Sequence, residues 1–388
     1  MWKYLIGQER VKDTLQRTVA SGRVAHAYLF QGPDGIGKRA AALAFAQTLQ
    51  CDRKSDHACG ECMPCRKVAR MIHPDVHVLF PYPKDVDERE VGERLAMLAQ
   101  NPYTAIDFTR RPSLSDVSVV SNKQSLYSVE RVHSDLHRVL SYRPVEGRYK
   151  IAIVTEAERL RTEAASSFLK LLEEPGPQTV FILTTWRPDV LLPTILSRCQ
   201  RVHFDMLSPD CIAEALVLRE KLDPTLAETI SRMADGSYTR ALELSANEEL
   251  QERRDIVLSF LRLCYGRDVN GLADMIEKEG RRSREQALHL LGLILGWVRD
   301  LVLFRTMGPA APIVNVDQKA SIAQFCDNLV EADLEAMVRI VEEAMELVGR
   351  NIHLKLLFIA LAHALGRAMR GHHSGHLFVP LVEADAFT

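Results

Sequence analysis

A chain of 388 residues has room for two or three domains, and 47% hydrophobic residues suffice for ordinary packed cores. A formal net charge of −2 excludes a global basic field that would draw the whole chain to nucleic acid, though not a local basic patch. The opening MWKYLIGQERVKD has no long apolar run and brings charges at once, so it does not read as a secretion signal, and a cytoplasmic location is expected.

From residue 1 to about 205, strand-like and helical stretches alternate. HAYLFQG reads as a short buried strand ending at Gly32, and KRAAALAFAQTLQ, 38–50, as a helix. Between about 80 and 125 the pattern weakens into a charged, turn-rich surface excursion that contains one helix. Residues 128–140 read as a helix, followed by the turn-like RPVEGR. Ile151–Val154 and TVFILTT, 179–185, read as two more buried strands. Strands alternating with helices predict an α/β domain with a mostly parallel sheet.

After Ser208-Pro209 the strands stop. Helical spacing marks 210–220, 224–234, 239–264, 284–306, 319–328, 331–349 and 353–370, with a Gly/Pro/Asn-rich break at 307–316. The 284–306 helix is apolar on nearly every side and reads as the buried helix of a bundle. Its core, LLGLILGWV, is too short to span a bilayer and runs into Arg299 and Asp300, so no membrane is expected. Residues from about 372 on read as a loose tail.

Gly32-Pro33-Asp34-Gly35-Ile36-Gly37-Lys38-Arg39 fits G-x-x-x-x-G-K between a strand and a helix, the context of a phosphate-binding loop. Gly32, Gly35 and Gly37 let the backbone curl so that N–H groups face phosphate oxygens, and Lys38 adds charge. The next position should offer a hydroxyl to magnesium. Arg39 stands there, and a guanidinium has no lone pair for a cation. A working ATPase also ends its second strand in Asp-Glu. This chain has Val154-Thr155-Glu156, so Thr155 takes the place of the magnesium-holding Asp, while Glu156 stays where a carboxylate would orient water. Phosphoryl transfer rests on positioning and charge neutralisation, so two altered magnesium supports predict weak or absent hydrolysis. ATP binding without turnover stays open, because the glycine loop and Lys38 survive.

Cys51, Cys59, Cys62 and Cys65 place four thiols in fifteen residues, with Gly60 and Pro64 suited to tight turns. Short C-x2-C steps wrap a tetrahedral ion, and four thiolates close the site, which predicts a structural Zn2+. His57 and His73 are spare ligands nearby. Cys199, Cys211, Cys264 and Cys326 are scattered and read as buried apolar residues in a reducing compartment. Glu173 and Glu174 end a helix about 100° apart and make no acid–base dyad, reading instead as a solvated helix end. By spacing alone Arg198 and Arg240 read as surface and helix arginines, and His26 as structural. No Ser–His–Asp or Cys–His signature is readable.

Together the segments IGQERVKDTL, HAYLFQGPDGIGKR, the cysteine cluster, YRPVEGRYKIAIVTEAERL, ASSFLKLLEEPGPQTVFILTT and LLPTILSRCQRVHF resemble the delta-prime family of bacterial clamp-loader subunits, within the AAA+ P-loop proteins. The resemblance covers residues 1 to about 245 well. It implies an AAA+ (RecA-like) P-loop domain at 1–207 with a zinc module at about 51–65 and an insertion at about 80–125. A helical lid at 208–247, an all-α collar at 248–372 and a tail at 373–388 would follow.

It also implies roles that spacing does not show. Ser197-Arg198-Cys199 is similar to a motif whose arginine reaches a neighbour's ATP site, which makes Arg198 catalytic in trans. Arg240 takes the place of a second sensor arginine, Thr184 and Thr185 end the first-sensor strand, and Gly7 and Gln8 resemble the turn beside adenine. Trp186 departs from the pattern. The partners implied are gamma/tau-type and delta-type subunits, with the sliding clamp and primed DNA reached through the assembly. The chain itself would be a stator-like component of a DNA-directed DNA polymerase, with no ATPase of its own. The alternatives are a hydrolysing gamma/tau-type motor with unusual magnesium coordination, or a zinc-containing AAA+ adaptor outside replication.

Overall fold

A computed structural model describes residues 1–53, 55–83, 86–108, 114, 125–127, 136, 140, 142–160, 162–246, 248–281, 283–348, 350, 352–372 and 376–377. Most of the helix expected at 128–140, the second half of the 80–125 insertion and nearly all of the tail lie outside the described residues. The chain divides into two compact units, Met1–Leu222 with Ala234–Glu243, and Asp223–Met233 with Leu244–Thr388.

In the first unit five parallel strands form one sheet: β1 (Ala27–Gln31), β2 (Val76–Leu79), β3 (Lys150–Val154), β4 (Thr179–Thr185) and β5 (Gln200–His203), in the order β2-β3-β4-β1-β5. The three strands read from sequence are the central three, every residue buried except Gln31. Such continuous apolar runs are what a sheet covered on both faces requires. β2 and β5 were not anticipated. Both are four-residue edge strands, and β5 buries Val202 alone.

Helices α1 (Glu9–Ala20), α2 (Lys38–Leu49), α3 (Met63–Ala69), α4 (Glu88–Gln100), α5 (Thr162–Glu173), α6 (Pro193–Leu196) and α7 (Pro209–Glu220) complete most of this unit. α2 is almost wholly buried, and its small Ala side chains permit close packing. α5 packs Phe168 edge-on against Phe181 of β4, with ring centroids 5.4 Å apart. The turn before β3 is fixed by buried Asp75, whose carboxylate accepts N–H bonds from Val145, Glu146 and Gly147 at 2.7–2.9 Å.

The stretch after residue 80 is more than the surface excursion expected. Phe80, Leu98, Ile106 and Phe108 form a small core of their own. Buried Arg94 lies 3.5 Å over the Phe108 ring and donates to the Ile106 carbonyl at 2.8 Å. Stacking on an aromatic face and a satisfied donor make that buried guanidinium tolerable.

Among the described residues the second unit is all helical. α8 (Pro224–Met233), α10 (Glu248–Gly266), α11 (Val269–Glu279), α12 (Arg284–Met307), α13 (Lys319–Asn328), α14 (Leu334–Val348) and α15 (Leu354–Ala368) belong to it, and α9 (Tyr238–Ser245) begins in the first unit. The single helix expected at 239–264 is thus two, α9 and α10, and α11 was not anticipated.

α12 carries the core with Leu290, Leu291, Ile294, Trp297, Val298 and Leu301, packed with Met337, Ile340 and Val341 of α14 and Leu357, Phe358 and Leu361 of α15. By length and composition the longer stretch 286–310 is long and apolar enough to cross a membrane, a test that the core helix of a bundle also passes. The buried face of α12 is nevertheless occupied by this core, while Leu288 and Gly292 on the other face are exposed. Below it, buried Asp300 accepts from the backbone N–H groups of Val314 and Asn315 and from Asn315 Nδ2, all within 2.9 Å. Of the scattered cysteines, Cys199 and Cys264 are buried as expected, whereas Cys211 and Cys326 are half-buried.

Candidate functional site

The loop Gly32–Arg39 joins β1 to the N-terminus of α2, and it is tightly enclosed. Gly35, at φ +74°, accepts backbone N–H bonds from Tyr238 and Thr239 at 3.0 and 3.3 Å. A Cβ there would lie 2.0 Å from Ser237 Oγ, so any other residue would displace Ser237 as well as strain the backbone. Gly37, at φ +105°, lies close to the Tyr103 hydroxyl, 2.7 Å from a notional Cβ. Lys38 is buried and turned onto its own loop, where Nζ donates to the Gly32 carbonyl at 2.7 Å and to that of Pro33. Burial pulls its pKa down to about 8, against the opposing pull of Glu158 and Glu156.

Arg39 points across the site. Its Nε donates to the Pro102 carbonyl at 2.8 Å and its Nη2 to the Thr104 carbonyl. Desolvation lowers its pKa, countered by Glu156 and Asp107. The segment it grips is stitched further: Ile6 N–H donates to the Tyr103 hydroxyl at 3.0 Å, and Thr239 Oγ1 donates to the Tyr103 carbonyl at 2.9 Å. Tyr103 also meets Tyr238 edge-on at 5.0 Å. Residues 102–107, part of an insertion without an assigned role in the sequence, therefore roof the phosphate loop.

The opposite wall is the end of β3 and β4. Thr155 Oγ1 donates to the Leu79 carbonyl at 3.1 Å, so its proton is committed to the residue that ends the neighbouring strand. Glu156 adopts φ +51° and pairs with Arg159 Nε at 2.7 Å. Burial raises its pKa to about 7, Asp107 adds to the rise, and Arg159 opposes it. The Thr184 hydroxyl accepts from Glu156 N–H at 3.4 Å, and Thr185 Oγ1 donates to Glu158 at 2.7 Å. Trp186, 53% exposed, stands at the rim. The remaining cleft is about 120 Å³, below the roughly 300 Å³ at the small end of ligand sites.

The other expected site residues divide. Gly7 and Gln8 both take left-handed conformations, and Gln8 Nε2 donates to the carbonyls of Ile36 and Asp205 at 3.3 and 2.6 Å, holding the turn beside the loop. Arg240 is exposed and does not line the cleft. Arg198 follows α6, where Nη1 donates to the Thr194 carbonyl at 3.1 Å and Nη2 to Glu173 Oε1 at 2.8 Å. Glu173 closes α5, the helix end where a carboxylate costs about 0.3–1 kcal/mol against the backbone dipoles.

Residues that sequence reasoning missed are Pro102, Tyr103, Thr104, Asp107, Arg159 and Ser237. All but Arg159, which pairs locally with Glu156, reach the site through tertiary closure, for which no local pattern exists.

At the far end of α2 the four cysteine sulfurs lie within 4.8 Å of one another, Cys59 and Cys65 at 3.9 Å. Zn–S bonds of about 2.3 Å in a tetrahedron put sulfurs about 3.8 Å apart, so the donor set and spacing fit zinc. Cys59 N–H donates to Cys51 Sγ and Cys62 N–H to Cys59 Sγ, both at 3.4 Å. Backbone donors from Cys62 and Glu61 draw the Cys59 thiol down to about 6, while burial pushes Cys65 up. The cluster is seated on α2, where Gln47 Nε2 donates to the Cys65 carbonyl at 2.9 Å.

The family model described as DNA polymerase III, delta subunit, matches residues 7–208. DNA polymerase III subunit delta' of Bacillus subtilis (strain 168) is 26% identical over 353 residues, covering 90% of this chain and 93% of that protein. The subunit delta' of Escherichia coli (strain K12) is 27% identical over 368 residues, covering 92% and 95%. DNA polymerase III subunit tau of B. subtilis is 24% identical over 376 residues, covering 91% of this chain and 59% of that protein. The family match takes in all five strands, the phosphate loop, the cysteine cluster and Arg198, just over half of the chain, and on that footing this protein belongs to the DNA polymerase III delta subunit family.

Proposed function

We propose that this protein is a clamp-loader subunit of the bacterial replicative polymerase, holding a fixed place in a ring of AAA+ subunits and lending Arg198 to the ATP site of a gamma/tau-type neighbour. The observation that carries the stator reading is the fate of the two magnesium positions. Arg39 is spent on the carbonyls of Pro102 and Thr104, and Thr155 donates its proton to Leu79 and carries no negative charge. Arg39 has no lone pair for a metal, Thr155 brings a neutral hydroxyl where a carboxylate would neutralise magnesium, and Lys38 is turned onto its own loop. A guanidinium half exposed at the end of α6 is free of such enclosure and suits action on another subunit's phosphates.

In this reading the P-loop unit and lid, 1–247, present Arg198, and the helical collar, 248–372, holds the ring together. Delta-type partners, the sliding clamp and primed DNA are met through the assembly. Cys51, Cys59, Cys62 and Cys65 would hold one structural Zn2+, which supplies cross-linking and no catalysis because no coordination position is left. Glu156 and Arg240 would be remnants of a nucleotide site.

The test pairs two measurements. The purified chain is expected to neither hydrolyse ATP nor lose any activity on Lys38→Ala. In the reconstituted loader, Arg198→Ala is expected to abolish the contribution of the site it serves, since such arginines are worth about 10³-fold or more, with assembly unchanged. Full ATPase in the Arg198→Ala loader would reject the reading.

A further inference from the structure

Glu173 sits against a local rule. It is exposed at the carbonyl end of α5, with Glu174 beside it, where the backbone dipoles disfavour a carboxylate. A residue that breaks such a rule without filling a core is a place to look for function. What Glu173 does is hold Arg198. Its Oε1 accepts from Nη2 at 2.8 Å, while the Thr194 carbonyl accepts from Nη1 at 3.1 Å. The guanidinium is thereby gripped from two elements, α5 and α6, with both side chains still partly in solvent, 35% for Arg198 and 49% for Glu173. Of the five N–H donors a guanidinium carries, these contacts use two.

We propose that Glu173 is the positioning residue for Arg198, fixing its rotamer so that the remaining donors face the γ-phosphate of a nucleotide bound on the neighbouring subunit. The inference rests on the reading of Arg198 as acting in trans. Ordering a long flexible side chain before the partner docks removes an entropic cost from the transition state. The γ-phosphate is still cleaved by water on the neighbour, with ADP as leaving group. Arg198 gives up no proton, and Glu173 touches no substrate.

The size of the effect is bounded by the pair itself. An exposed ion pair is worth a factor of about two to five. The experiment uses the reconstituted loader with clamp and primed DNA, comparing wild type, Glu173→Gln, Glu173→Asp, Arg198→Ala and the Glu173→Gln/Arg198→Ala double variant. Glu173→Gln is expected to lower turnover at the site that Arg198 serves about two- to fivefold with KM unchanged, because the neighbour's own loop binds ATP. Glu173→Asp, which keeps the charge, should recover part of that loss. In the Arg198→Ala background Glu173→Gln should have no further effect, since a merely structural carboxylate would act additively.

If Arg198→Ala lowers turnover while Glu173→Gln does not, or the two losses add, the positioning role is overturned and the reading of Arg198 stands. If Arg198→Ala itself is without effect, the reading of Arg198 fails and the positioning role goes with it. Thermal melts and gel filtration of Glu173→Gln and Glu173→Asp check that both fold and assemble.

Discussion

Replacing Arg39 by serine puts a hydroxyl where a magnesium-binding loop would carry one, and it also removes the donor that holds the roof. Two backbone carbonyls, of Pro102 and Thr104, lose a charged partner. Hydrogen bonds to charged groups contribute about 1.5–3 kcal/mol each. Water entering the space left by the guanidinium returns part of that, so the net loss should be about 2–4 kcal/mol. With a urea dependence of about 2 kcal/mol per molar, the unfolding midpoint of the P-loop unit should fall by about 1–2 M. Tryptophan fluorescence follows it, since Trp186 stands at the rim of the cleft. ATP hydrolysis by the isolated variant should stay at background, because Thr155 still supplies no carboxylate to hold and neutralise magnesium. An unchanged midpoint would show that Arg39 is not the tie between loop and roof. Hydrolysis that appears in Arg39→Ser and disappears when Lys38→Ala is added would show that one hydroxyl is all the site lacked.

Two further outcomes follow from the same wall and from the metal cluster. Glu156 has its pKa raised from 4.5 to about 7. Between those values the folded chain keeps a proton that the unfolded chain has lost, so stability falls as pH rises through that window. Glu156→Gln should therefore stabilise by about 1–3 kcal/mol at pH 8 and by nothing measurable at pH 4.5; equal melting shifts at both pH values would contradict the assignment. Protein purified from zinc-containing medium should carry one Zn2+ per chain by elemental analysis. Cys65→Ser should lose it and melt roughly 5–15 °C lower, with chelation of the parent protein doing the same; full metal content in Cys65→Ser would exclude the four-thiolate site.

The central strands and the phosphate loop were legible because their signals are local. β1, β3 and β4 are buried on both faces and read as unbroken apolar runs, and the loop is a short motif between a strand and a helix. β2 and β5 escaped because each has four residues at a sheet edge, with too few inward side chains for a period to show. The cysteine cluster was legible through spacing alone, since its ligands lie within one short loop and the start of α3. The roof was not. Arg39 meets Pro102 across 63 positions, and Tyr103 meets Thr239 across 136, so neither pairing leaves a mark on its own stretch of sequence. The pairing of Glu173 with Arg198 has the same character: both were seen, as a helix end and as a surface arginine, but their contact belongs to the fold.

The apolar helix α12 has a consequence for how the chain is made. α10, upstream, covers only part of it, while α14 and α15 lie downstream, and α14 is complete only about 40 residues after α12 ends. At synthesis rates of about 5–20 residues per second, α12 waits roughly 2–8 seconds for α14, the helix it packs against most extensively. During that interval a segment with the length and hydropathy of a bilayer span is presented to the cell only partly covered. Nascent chains halted near residue 310 should therefore recruit holdase chaperones, or stray to membrane insertion machinery, more than chains halted near residue 370.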